Sequence, residues 1–146
     1  MEPRLKIEEL YPAAWKGMYA LEASLAGSQL SKIQRELIKI RASQINGCVF
    51  CINMHTTDAL KHGETAQRIF LLNAWRETNK FNAEEKALLA IVEEVTLIHR
   101  QGLSDAVYDE ARQYFSEEVI AQIIMAVATI NAWNRIAISS RTQVAE

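Results

Sequence analysis

The chain has 146 residues, 49% of them hydrophobic and 23% charged, which is enough to bury a core without a metal or disulfide staple and too apolar for a disordered chain. Its formal net charge is -2 and its pI is near 6.0; without a Lys/Arg-rich run, no nucleic-acid partner is expected. Five glycines and two prolines are too few for the turns of an all-β domain.

The punctuation is helical from end to end. Met1 to Leu10 is charged and lacks an apolar core, so no secretory signal is expected. Pro12 suits a first helical turn and opens a helix over about 12–26, ending near Gly27. Ser31 to Gln34 has the form of a capping box, and Leu30, Ile33, Leu37 and Ile40 form an apolar stripe, giving a helix over about 31–45. Asn46-Gly47 breaks that pattern, since both residues tolerate positive φ. Helices over about 48–62 and 65–78 follow, the first stopping at Gly63. Asn82 to Glu85 is a second capping box; Leu88, Ile91, Val92, Val95 and Ile98 then predict a helix over about 83–101 that stops at Gly102. Ser104 and Ser116, each followed by an acidic residue, cap helices over about 104–114 and 117–140. The expected fold is all-α, a single-domain bundle of about seven helices over residues 1–146.

Val119 to Asn134 carries no charge. It is too short to span a bilayer and is interrupted by Gln122, Thr129, Asn131 and Asn134, so no membrane partner is expected. It is apolar almost all round, which predicts either a central core helix or a face covered by a second copy of the chain; self-association is the expectation.

The chemistry-bearing residues fall between Glu36 and His55. A helix that starts just after Gly47 puts Cys48 and Cys51 in its first turn, where unpaired N–H groups and the positive dipole end favour thiolate. Cys48, Cys51 and His55 are spaced i, i+3, i+7 and share one helix face. Glu36 lies about 15 Å before the turn and His55 about 12 Å after it, so antiparallel helices bring the carboxylate level with the imidazole. The carboxylate fixes the tautomer of the ring and makes it a better base. The relay runs from Glu36 to His55 to a thiol. The paired cysteines allow one thiolate to be oxidised and the other to close a disulfide. Dipole logic selects Cys48 as the attacking thiol, and proximity to His55 selects Cys51, which is the expected nucleophile.

Two other readings compete: an inert pair of small buried residues and a metal site. With His62 as fourth ligand, Cys48, Cys51 and His55 would have to converge over about 21 Å of helix, too far for one tetrahedral zinc ion. Glu36 as replacement ligand keeps zinc open. No metal and no cofactor is expected. Two cysteines three apart do not form the disulfide framework of a secreted domain; a cytoplasmic protein with a transient, catalytic disulfide is expected instead.

Glu36, eleven intervening residues, Cys48-Val49-Phe50-Cys51, three more residues and His55 resemble the core motif of alkylhydroperoxidase D, in the carboxymuconolactone decarboxylase superfamily. Arg41 to Gly47, Gly63-Glu64 and Asn131-Ala132-Trp133-Asn134-Arg135 resemble it too, so the likeness runs from about Tyr11 to Ile138. The resemblance implies an all-helical fold assembling as a trimer or hexamer, and a thiol peroxidase acting on a hydroperoxide substrate. It implies Cys51 as the attacking thiol, Cys48 as its resolving partner, Glu36 and His55 as the proton relay, and an external dithiol reductant such as a lipoyl protein. The best-studied type of member has a histidine between the cysteines where this chain has Phe50, which cannot shuttle a proton. The branch that decarboxylates muconolactones lacks the cysteine pair, so the resemblance points away from that activity.

The remaining residues get plainer readings. His62 and His99 are expected at the surface or as dipole partners at helix ends. Trp15, Trp75 and Trp133 are expected as core or interface anchors. Asn131, Asn134 and Arg135 are assigned to helix ends or an intersubunit contact, with a buried polar network near the site as the alternative. Phe50, Met54 and Tyr19 are assigned to core packing, with an apolar substrate pocket as the alternative. The expected function is therefore a cysteine-pair thiol peroxidase. The alternatives are a general disulfide oxidoreductase and a redox-responsive oligomer without turnover.

Overall fold

The structure is a computed structural model that describes residues 2–144. The described residues contain nine α-helices and one 3-10 helix joined by short turns, with no strand among them. They are α1 (Ile7–Leu10), α2 (Pro12–Ala26), α3 (Lys32–Asn46), α4 (Val49–Lys61), α5 (Ala66–Leu71), the 3-10 helix Leu72–Glu77, α6 (Ala83–Thr96), α7 (Ile98–Gln101), α8 (Asp105–Ala111) and α9 (Glu117–Ser140). The all-α bundle is as expected, and the cap signals set most of its boundaries. Ser31 accepts from Gln34 N at 3.1 Å while the Gln34 side chain accepts from Ser31 N at 2.9 Å. Asn82 and Glu85 make the same reciprocal pair at 2.8 and 2.9 Å. Ser104 and Ser116 cap α8 and α9.

Three departures from the seven expected helices have local causes. The helix α1 carries no buried residue and so leaves no apolar stripe to read. The expected helix 65–78 tightens after Leu71 into 3-10 turns that kink at Ala74 (φ -117°, ψ 28°), with Leu72 and Trp75 buried on either side of the kink. The expected helix 83–101 breaks at Leu97. There Glu94 accepts from Ser104 N at 2.7 Å, Ser104 Oγ at 3.0 Å and Gln101 Nε2 at 3.1 Å, turning the chain back on itself.

The core helix is α3. It packs against α4, α6 and α9, and Leu37, Ile38, Ile40 and Ala42 are fully buried on it. The last helix is less enclosed than its composition predicts. Ile120, Ile123, Val127 and Ile130 of α9 are buried, but Met125 and Ile138 stay exposed. At 24 residues and mean hydropathy 1.3 it is long and apolar enough to cross a membrane by length and composition, longer than the stretch read from sequence. Here it packs on α2, α3, α4 and α6.

A carboxylate ties the centre together. Glu93 on α6 accepts from Arg41 Nε on α3 at 3.0 Å, from Trp75 Nε1 at 2.9 Å, and from Arg76. Burial pushes its carboxyl up, but these hydrogen bonds outweigh burial and hold it below the usual carboxylate range.

Candidate functional site

The turn between α3 and α4 builds the site. Gly47 closes α3 with φ 71°, a left-handed conformation in which a Cβ is strained. Cys48 N then donates to Ser43 O at 3.0 Å, and the chain reverses into α4. Cys48 is the N-cap, its sulfur accepting from Cys51 N at 3.4 Å. A polar network locks the turn to α9. Asn46 Nδ2 donates to Asn131 Oδ1 at 3.0 Å and Asn134 Oδ1 at 2.9 Å, and Asn134 Nδ2 donates to Ser43 Oγ at 2.9 Å. Arg135 Nη1 donates to Asn131 Oδ1 at 3.0 Å. These residues therefore form a polar network beside the cysteine turn, the alternative reading from sequence, with Asn46 at the end of α3. Asn134 is fully buried, and a satisfied network of this kind fixes one geometry for the turn.

The fold-back brings Glu36 and His55 together. His55 Nδ1 donates to Glu36 Oε2 at 2.9 Å, and both residues are buried. With the carboxylate accepting, the ring hydrogen sits on Nδ1 and the lone pair on Nε2. Cys48 and Cys51 are joined in a disulfide. Cys51 precedes His55 by one helical turn on the same face of α4.

Cys51 and His55 open onto a cavity of about 700 Å³, within the usual range for a small-molecule site. Cys48 does not line it. Its walls include Trp15, Tyr19, Phe50, Met54 and Trp133, so all five line the cavity where core packing or an anchoring role was the expectation. Trp15 and Trp133 meet edge to face with centroids 5.0 Å apart, and Tyr19 completes the cluster 6.0 and 5.8 Å from them. Trp75 alone of the tryptophans is a core residue.

Four charged residues also line the cavity, Lys6, Glu8, Glu22 and Lys39, and the last two pair with each other. Lys39 Nζ donates to Glu22 Oε2 at 3.2 Å, and Trp133 Nε1 donates to Glu22 Oε1 at 3.0 Å. Sequence reasoning missed both. Glu22 reads as one more acidic residue on a helix surface. Lys39 carried a usable signal, since it lies three residues after Glu36 and so shares its face. Pro3 to Glu8 was missed as well. Pro3, Leu5 and Ile7 line the cavity, held by Arg4 N donating to Ser140 O at 2.9 Å. His62 and His99 are exposed and away from the site. Among the described residues no group of three or more His, Cys, Asp or Glu side chains is placed to hold a metal.

Residues 9–94 match the model of the carboxymuconolactone decarboxylase family. The chain belongs to that family. It is 42% identical over 145 residues to the uncharacterised protein YdfG of Bacillus subtilis (strain 168), covering 99% of both chains. It is 39% identical to a solved structure from Agrobacterium tumefaciens, a protein of unknown function named as a candidate AhpD antioxidant defence protein; the TM-score is 0.96 and the match covers 99% of each chain. The fold is shared with the debrominase Bmp8 at 20% identity and a TM-score of 0.81, over 92% of this chain and 72% of that one. The chain is thus an AhpD-like carboxymuconolactone decarboxylase family protein. The matched span holds Glu36, both cysteines and His55, whereas Trp133 and the Pro3–Glu8 wall lie outside it.

Proposed function

We propose that this protein is a thiol peroxidase that reduces hydroperoxides with Cys51 and resolves through Cys48. The observation that carries the reading is the buried Glu36–His55 hydrogen bond of 2.9 Å one helical turn from a cysteine that opens onto an apolar cavity. In the reduced protein, His55 Nε2 takes the Cys51 thiol proton, directly or through a water, and Glu36 stabilises the imidazolium. The Cys51 thiolate attacks the terminal oxygen of the hydroperoxide. The S–O bond forms, the O–O bond breaks, sulfur is oxidised by two electrons, and the alkoxide leaves and takes the proton from His55. Cys48 thiol then attacks the Cys51 sulfenic acid, releasing water and closing the disulfide. An external dithiol, such as a protein-bound lipoyl group, reduces that disulfide by exchange.

Cys51 is assigned the attack because it lines the cavity and lies one helical turn from His55, while Cys48, equally buried, is absent from the cavity wall. A cycle that starts from reduced thiols suits a reducing compartment such as the cytoplasm. The exposed apolar residues Phe70 and Met125 fit assembly into a trimer or hexamer. The test is hydroperoxide consumption with a dithiol as reductant. Wild type should turn over, and both Cys51→Ser and Cys48→Ser should lose turnover. Full turnover in Cys51→Ser would overturn the reading.

A further inference from the structure

The peroxidase step leaves one requirement without a residue. When the O–O bond breaks, negative charge develops on the departing oxygen, and catalysis gains most from a donor already aimed at that place. We infer that Lys39 is that donor, a catalytic residue for the departing oxygen; the inference rests on the peroxidase reading above.

Helix register sets the height of Lys39 in the hairpin. Glu36 sits opposite His55, and Ser43 O sits opposite Cys48 N at 3.0 Å. Between those two fixed points, an antiparallel pair of helices brings Lys39 level with Cys51. Lys39 is about 4.5 Å along α3 from Glu36, and Cys51 about 6 Å along α4 from His55, so their heights agree within about 2 Å. Spacing i, i+3 puts Lys39 on the face of α3 that carries Glu36. Lys39 and Cys51 both line the cavity.

The second observation is hydrogen-bonding capacity. An ammonium has three donors, and among the described residues the Lys39 group donates to Glu22 alone. Its side chain is 14% exposed and lines the cavity, which leaves the other two donors without a protein partner among the described residues. Glu22 is itself held by Trp133 Nε1 at 3.0 Å. This indole–carboxylate–ammonium chain, from α9 through α2 to α3, fixes the cation before substrate arrives. Such preorganisation is what makes a donor effective at the moment charge develops.

The step balances without consuming the lysine. Lys39 hydrogen-bonds to the oxygen as the O–O bond lengthens. The proton that neutralises the alkoxide is the one His55 took from Cys51, and Lys39 remains an ammonium throughout.

The test varies the leaving group. Reduced wild type, Lys39→Met and Lys39→Arg are mixed with tert-butyl hydroperoxide, which expels a strongly basic alkoxide, and with a peracid, which expels a weakly basic carboxylate. Lys39→Met is expected to slow oxidation by tert-butyl hydroperoxide on the order of a hundredfold and oxidation by the peracid far less, with Lys39→Arg partly restoring the first. Iodoacetamide alkylation of Cys51, which expels no oxygen, reports the thiolate separately and is expected to fall far less than the hydroperoxide rate. An equal loss for both peroxides, or an alkylation rate that falls in step with them, overturns the assignment and leaves the peroxidase reading standing. A wild type that consumes neither peroxide overturns both.

Discussion

One buried hydrogen bond sets the chemistry proposed for the site. His55 Nδ1 donating to Glu36 Oε2 decides which ring nitrogen is left to act as base. An amide in place of the carboxylate keeps the size of the side chain but carries no charge to balance an imidazolium. Glu36→Gln should therefore lower turnover by about a hundredfold while far-UV circular dichroism and thermal unfolding stay close to wild type. Wild-type turnover in that variant would remove Glu36 from the relay. The four chemistry-bearing residues were legible because Gly47 marks the reversal and residue counting gives the level of each side chain. Glu22 was not, since an ion pair between two helices leaves no trace in the spacing of either one; Lys39 shares the face of Glu36, but that spacing does not name its partner.

At the scale of elements, local signals and tertiary packing part company. Ser31 with Gln34 and Asn82 with Glu85 set helix starts through bonds inside four residues, so sequence reads them directly. The 3-10 helix Leu72–Glu77 depends instead on a core surface that catches Ile69, Leu72 and Trp75, and only the assembled bundle supplies that surface. The Asn46–Asn131–Asn134 network depends likewise on α9 meeting the end of α3. Glu93 is the clearest case of elements joined by charge, holding α3, α6 and the 3-10 helix through Arg41, Trp75 and Arg76. Its carboxyl is held below the usual range in the folded chain, so the folded state binds that proton more weakly than the unfolded one. The stabilisation is fully present above the unfolded value of about 4.3 and is lost as pH falls through the lowered folded value. In denaturant titrations at neutral pH, Glu93→Gln should be less stable than wild type by on the order of 2 kcal/mol, and the gap should narrow below about pH 4. A gap independent of pH would mean that Glu93 acts through shape alone.

Across the whole molecule, chemistry and enclosure come from different parts of the chain. The α3–α4 hairpin carries the cysteine pair and the Glu36–His55 hydrogen bond. The cavity over it is closed by aromatic residues of α2 and α9 and by residues Pro3, Leu5 and Ile7, which a hydrogen bond from Arg4 N to Ser140 O ties to the end of α9. Residues far apart in sequence thus wall the cavity onto which one sulfur opens. The all-α bundle was readable from caps and periodicity. The cavity was not, because its walls are exposed or half-buried aromatics such as Tyr19 and Trp133 that look like ordinary packing residues until the helices are assembled. The central claim is that the sulfur at position 51 takes oxygen from a hydroperoxide. It is tested most directly by treating reduced Cys48→Ser, and separately reduced Cys51→Ser, with one equivalent of tert-butyl hydroperoxide in the presence of dimedone and reading the modified peptide by mass spectrometry. The account predicts a dimedone adduct on Cys51 in the first variant and none on Cys48 in the second; an adduct on Cys48 with Cys51 left unmodified would contradict it.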